Sequence, residues 1–436
     1  MQVRLKPRGL VVALLAGLAV LAYLPVFHQP FVGDDYVQIH LARQFGPASG
    51  WAALAADPLY RCRTTSLLLT YWTDRLFGFS PLPFYSTSVL LHVLNTFLVL
   101  ALGAWRVIGW RAAALAAAFF AVYEGHNEAV MWYAALPELL MFFFLLLSLR
   151  FWIGWMETRR LSYYAATLAG FLAALASKEP AVALVPLLLA AAAVERIGWR
   201  RRIAWIAPFA GLALGYAWLI YRSRSGHLHF NDGTFSLQAP FWITWFNSMG
   251  RLLWIWGLAS LAVLAAGRFR RQRLLLTVAA SWMAIAVLPY SFLTYMARVP
   301  SRHTYLASAG LALLVAAGWL AWREGAGVRW SWAARAAATV ILAHNVGYLW
   351  LVKRAQFRDR AAPTEALIEL ARRVDGPIYV HCFRYSPEVA ERAMEMAAGS
   401  PASLLRWQPS ATEPAAVLCQ GHPGRLPAAG LARPSY

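Results

Sequence analysis

The sequence predicts an all-α polytopic membrane protein with about eleven transmembrane helices and a small C-terminal α/β appendage. Three observations carry this prediction. Of 436 residues, 60% are hydrophobic and only 14% are charged, whereas soluble domains carry about a quarter charged residues. Mean hydropathy is +0.49. Apolar stretches recur from residue 10 to about 351, and many reach the ~20 residues that cross a bilayer core. A soluble fold has no means of covering so much apolar surface.

The apolar runs fall at 10–27, 84–104, 112–132, 134–153, 161–176, 180–195, 203–221, 241–266, 274–296, 303–322 and 332–351. With Arg4, Lys6 and Arg8 on the cytoplasmic side, the richest basic turns also fall inside. These are Arg106/Arg111, Arg150/Arg159/Arg160, Arg196/Arg200/Arg201/Arg202, Arg268/Arg270/Arg271/Arg273 and Arg323/Arg329/Arg335. Cytoplasmic loops of membrane proteins are enriched in Lys and Arg. The formal charge of +20 is therefore a topological signal, and nucleic acid is not an expected partner. The first run is followed by no small-x-small cleavage site and reads as a retained helix. An odd helix number puts the C-terminus outside. The Ala- and Arg-rich composition points to a bacterial inner membrane.

Carboxylates are distributed in the opposite sense. Asp34, Asp35, Asp57, Asp74, Glu124, Glu128, Glu138, Glu179 and Asp232 lie in outer loops or at outer helix ends, while Glu157, Glu195 and Glu324 lie inside. The positive-inside rule does not demand this, so the acidic outer face is where chemistry is expected. The outer segment 28–83 is too long for a simple turn, and such loops tend to be functional. Within it, 49–56 predicts a short surface helix with Ser49 as N-cap.

The chain divides into a transmembrane domain (1–352), an extracytoplasmic appendage (353–420) and a Pro-, Gly- and Arg-rich tail (421–436). The appendage predicts a helix at 364–373, a strand at 377–382, a helix at 387–396 and a strand at 415–419. Cys382 and Cys419 would share an oxidising compartment. A disulfide and two separate small buried residues are the alternatives there.

Four constellations could carry chemistry. Phe31-Val32-Gly33-Asp34-Asp35-Tyr36 follows the first helix, where adjacent carboxylates raise one another's pKa and one held near a hydroxyl can act as general base. A solvated acidic loop is the plain alternative. The turn Tyr123-Glu124-Gly125-His126-Asn127-Glu128, with Trp132, Tyr133 and Glu138, could hold a cation or a sugar. Ser177-Lys178-Glu179-Pro180 places Lys178 to meet a phosphate as a point charge or to pair with Glu179. Arg298 and Ser301-Arg302-His303-Thr304-Tyr305 could grip a phosphate bidentately. Arg251 sits in the outer half of an apolar run, where a charge defaults to a functional candidate or snorkels. His92 and Asn95 read as interhelical hydrogen-bonding partners. No metal spacing is diagnostic; the outer carboxylates allow a divalent cation without specifying one.

In this order the motifs resemble the GT-C type polytopic glycosyltransferases, in particular protein O-mannosyltransferases, the tetratricopeptide-bearing transmembrane mannosyltransferases and their bacterial relatives. The matching segments are Gly33-Asp34-Asp35, Leu90-Leu91-His92-Val93-Leu94-Asn95, His126-Asn127-Glu128-Ala129-Val130-Met131-Trp132, Ser177-Lys178-Glu179 and Arg302-His303-Thr304-Tyr305-Leu306-Ala307-Ser308. The chain departs from that pattern at Tyr123-Glu124, where the family often has His-Pro, and at Leu136, where it often has Arg. No tetratricopeptide array follows the last helix.

The resemblance implies an inverting transfer of sugar from a polyprenyl-phosphate carrier to an acceptor hydroxyl at the outer face, a hexosyltransferase activity. By matched position Asp35 or Asp34 would be the base, with Asp35 slightly favoured. Lys178 and Arg302, with Arg251, would hold the donor phosphate. His126, Glu128, Glu124, Trp132, Glu138 and Tyr305 would contact sugar or acceptor, itself a glycan, lipid or protein. The competing readings are another lipid-carrier enzyme, such as an O-antigen ligase or polymerase, a transporter or flippase, and a structural scaffold. A transporter predicts paired repeats and broken helices in corresponding halves, which the sequence does not show.

Overall fold

The computed structural model describes residues 7–266, 272–294, 299–325, 330–374, 376–407 and 416–419. Arg298, the tail 421–436 and parts of two arginine-rich turns lie outside them. Each of the eleven apolar runs is occupied by helix. Among the described residues, six helices are long and apolar enough to cross a membrane, or seven if one bent pair counts as a single span. Gly109–Val122, Leu161–Leu175 and Glu179–Val194 are apolar but shorter. The molecule is a multi-pass membrane protein.

Local sequence explains many of the boundaries. Pro7–Tyr23 starts on a proline, which suits a first helical turn, and tightens into the 3-10 turn Leu24–His28. Pro81–Ala101 likewise begins on proline. Small residues then bring helices close. A Cβ on Gly170 would stand 2.4 Å from Ser148 Oγ, and one on Gly310 would stand 2.8 Å from the Ala279 carbonyl. These contacts join Leu136–Thr158 to Leu161–Leu175 and Arg273–Val287 to Ser308–Gly325.

The run 241–266, predicted as one span, is two helices. Phe241–Leu253 and Trp256–Ala266 meet at 76°, with Ile255 at φ 59°. A β-branched residue with positive φ is a strained exception, and no proline or glycine at the junction announces it. The long loop after the first span folds into Asp35–Phe45, Trp51–Ala56 and Thr64–Phe77 around Leu41, Ala42, Phe45, Leu54 and Leu67. Arg43 grips Asp74 bidentately at 2.7 and 2.9 Å. The predicted short surface helix is present, but its cap is Gly50 rather than Ser49, without a side-chain cap bond.

The chain does not pause at residue 353. Trp330–Gly347, a π-helical turn Tyr348–Lys353 and Arg354–Arg373 run on as a 42-residue apolar-to-polar helix, Trp332–Arg373. At 1.5 Å per residue it is about 63 Å long, twice the ~30 Å hydrocarbon core, so it stands well clear of the bilayer. Pro363 is tolerated inside it. The predicted helix at 364–373 is only its last part. Beyond it, Ile378–Cys382 pairs in parallel with Leu405–Arg406 on one side and Ala416–Cys419 on the other. The short strand Leu405–Arg406 carried no sequence signal. Cys382 and Cys419 face each other in register; their side chains lie outside what is described.

Candidate active site

Gly33 makes the first part of the site. Its φ of +47° is a left-handed conformation natural to glycine, and a Cβ there would lie 2.6 Å from the ring of Tyr385, in the C-terminal appendage. The turn leaves Asp34 just outside the helix Asp35–Phe45 and Asp35 within its first turn. Neighbours at a helix start point in different directions, so the two carboxylates have opposite fates.

Asp35 is fully buried. Its Oδ2 accepts the Val32 N–H at 2.8 Å and the Tyr85 hydroxyl at 2.9 Å, and its Oδ1 accepts the Ala134 N–H at 2.7 Å. Burial pushes its carboxyl up to about 7, against the pull of these donors. Asp34 is open to solvent yet has protein on most sides. That partial desolvation raises its carboxyl, while the guanidiniums of Arg302 and Arg360 oppose the rise.

Trp132 is the other wall. It donates from Nε1 to the Val32 carbonyl at 3.3 Å. Arg302 lies over its ring at 4.9 Å and Arg360 at 4.4 Å from the centroid. Glu128 bridges the same arginines, with Oε2 3.8 Å from Arg302 and Oε1 3.9 Å from Arg360. Its Oε2 also accepts the Ser301 hydroxyl and the Arg302 N–H, each at 3.2 Å. Burial works against ionisation of Glu128, but the two guanidiniums outweigh it and hold the carboxyl below its usual value. Arg251 donates to the Val299 carbonyl beside this turn. Glu124, half-buried, donates its N–H to Asn345 Oδ1 at 3.0 Å, and burial raises its carboxyl to about 7.

Lys178 and Glu138 form a second, enclosed group. Lys178 Nζ donates to Glu138 Oε1, and the Tyr290 hydroxyl donates to Oε2 at 2.6 Å. Burial lowers the Lys178 pKa, opposed by Glu138. His303 stacks on Tyr290 at 4.9 Å. Burial, then Arg302, Lys178 and Arg251, hold its imidazole well below the usual value, so the ring is neutral in a positive field. Glu138 is 1% exposed and presents neither oxygen to a ligand.

His126 and Tyr305, expected at the sugar, are instead buried in the helix core. His126 Nε2 meets Ser308 Oγ at 2.6 Å, and the Tyr305 hydroxyl meets His92 Nδ1 at 2.9 Å and Asn95 Nδ2 at 3.2 Å. The fold thus gathers Asp34, Glu128, Trp132 and Arg302, and sets Lys178 and Glu138 behind them. Sequence reading missed Arg360 and Tyr385, because only the continuous last helix brings them to the first loop. Among the described residues, no group of three His, Cys, Asp or Glu side chains converges on a cation site.

No family model and no curated protein matches this sequence. Solved structures do. ArnT from Cupriavidus metallidurans, bound to undecaprenyl phosphate, aligns over 91% of this chain and 86% of its own, at 14% identity and a TM-score of 0.52. The archaeal oligosaccharyltransferase AglB from Archaeoglobus fulgidus, in complex with an inhibitory peptide and a dolichol-phosphate, aligns over 90% of this chain and 64% of its own, at 12% identity and a TM-score of 0.54. This is a GT-C fold. A likeness at these identities is one of architecture. The GT-C scaffold accounts for the helix order and the long first loop, and the chemistry must be argued from the residues above.

Proposed function

We propose that this chain is a polyprenyl-phosphate-dependent glycosyltransferase that moves a hexose, with inversion, to an acceptor hydroxyl at the extracytoplasmic face of a bacterial inner membrane. Asp34 is the base in this reading, in place of the Asp35 slightly favoured by motif position. The observation that carries it is an accessible aspartate with a raised carboxyl, set beside two arginines within a GT-C fold. That both solved relatives hold a polyprenyl phosphate supports a lipid-linked donor.

In the reaction, the Asp34 carboxylate takes the acceptor hydroxyl proton as that oxygen bonds the anomeric carbon. The bond from that carbon to the phosphate oxygen breaks, and its electron pair leaves with the carrier phosphate. A raised carboxyl is the stronger base. Arg302 stabilises the charge on the leaving phosphate, with Arg251 and Lys178 contributing to the same field. Glu128, Trp132 and Glu124 line the sugar or acceptor. Asp35, held by three donors, shapes the turn that presents Asp34.

The test is transfer of radiolabelled sugar from polyprenyl-phosphate-sugars in membranes containing wild type or Asp34→Asn. Label on an endogenous acceptor, lost in the folded variant, is the expected result. No label with any donor from a stable protein would turn the reading toward a ligase or transporter.

A further inference from the structure

The arginine that the first-loop motifs do not include is the most informative residue of the site. Arg360 comes from the helix that leaves the membrane and lies three residues beyond the buried Phe357, on one helix face with Ala361 and Thr364. Its guanidinium packs over Phe357 at 4.8 Å and over Trp132 at 4.4 Å. Arg302 lies over the same indole. The two ion-pair distances to Glu128, 3.8 and 3.9 Å, exceed hydrogen-bond length. Glu128 therefore keeps the guanidiniums apart and facing the site without saturating their N–H groups. We propose that Arg302 and Arg360 form a two-arginine clamp for a phosphate group, so that the C-terminal appendage completes the site.

Three features favour phosphate. A guanidinium lying on an aromatic ring keeps its planar N–H edge for bidentate contact with a tetrahedral anion, and two such edges share Trp132. Charge is also conserved across the reaction proposed above, on which this inference rests. As Asp34 becomes neutral by accepting a proton, the leaving phosphate gains one negative charge, and the arginines that act on Asp34 remain opposite an anion. Finally, Arg360 is braced: the Tyr385 hydroxyl donates to its carbonyl at 2.6 Å, and the Tyr385 ring abuts Gly33 in the aspartate turn. The two halves of the clamp are thus tied to the same turn as Asp34. The phosphate could come from the carrier lipid or from an anionic acceptor; the chemistry at the clamp is the same.

The test uses the full chain in nanodiscs and compares polyprenyl phosphate with the corresponding polyprenol, and both with inorganic phosphate. The variants are Arg360→Met, which keeps the stem, and Arg360→Lys, which keeps the charge but not the fork. The expected result is a loss of about ten- to hundred-fold in polyprenyl-phosphate affinity for Arg360→Met, with polyprenol binding unchanged and partial recovery in Arg360→Lys. A loss confined to inorganic phosphate would keep the clamp and assign it to an anionic acceptor. Wild-type binding of both phosphate probes by folded Arg360→Met would overturn it. Should Arg360→Met not fold, Arg360→Lys decides by the same phosphate-to-alcohol ratio. This ratio is read without turnover, so failure of every sugar donor would sink the transferase reading and leave the clamp to be judged separately.

Discussion

Asp34 and Asp35 are adjacent, chemically identical and expected to fail in different ways. In Asp35→Asn one carboxylate oxygen becomes an amide nitrogen. Whichever way the amide turns, it faces a backbone donor, since Oδ1 meets the Ala134 N–H at 2.7 Å and Oδ2 the Val32 N–H at 2.8 Å. One buried N–H loses its acceptor, a cost of about 1–3 kcal/mol, to be read as a lower melting temperature in detergent or nanodiscs. Asp34 is solvent-accessible, so Asp34→Asn should leave the melting temperature within about a degree, as surface substitutions usually do. Its transfer rate should instead fall by about 10²–10⁴-fold, the usual worth of a positioned base. Measured together, thermal unfolding and radiolabel transfer separate the two roles. A stable Asp35→Asn without activity, beside an active Asp34→Asn, would refute the assignment and restore Asp35 as the base.

Further outcomes follow from the same geometry. Asp35 has its folded carboxyl raised from 3.8 to about 7, so its neutral form is favoured by folding. Its stabilising share is fully present below pH ~4 and is lost as pH rises through 7. The melting temperature of wild type relative to Asp35→Asn should therefore decline between pH 4 and 8; a flat difference would argue against the burial of an ionisable group there. Because the Asp34 carboxyl is raised as well, the acid limb of transfer should lie above the ordinary aspartate range and vanish in Asp34→Asn. Lys178→Met leaves Glu138 buried without its cation, which costs about 3–5 kcal/mol; pairing it with Glu138→Gln should recover much of that stability, and a strictly additive double mutant would deny the pair. Gly33→Ala places a methyl against Tyr385 in a left-handed turn that costs a non-glycine residue about 1–2 kcal/mol. It should reduce transfer, with partial rescue by Tyr385→Ala, and unaltered transfer would mean the appendage does not support the aspartate turn.

What the sequence determined by itself was everything that depends on continuity of composition. Uninterrupted apolar runs must be helical in lipid, because backbone groups there have no water to bond, and the structure puts helix in all eleven. The proximity of the Asp34, Glu128, Trp132 and Arg302 motifs was also legible, since they recur at helix ends on one side. Only the tertiary structure decided the exceptions. The 76° break near Ile255 lies in a run whose composition is as apolar as an unbroken span. His126, Tyr305 and Glu138 are polar residues in a polar-looking neighbourhood, and whether they meet a ligand or one another depends on packing between helices far apart in sequence. The same applies to the aspartates, whose fates depend on whether Val32 and Ala134 point N–H groups at one of them. Arg360 is the clearest case. It reaches Trp132 across 228 residues because the last span continues as a rigid helix beyond the bilayer, and no local pattern encodes where such a helix leads.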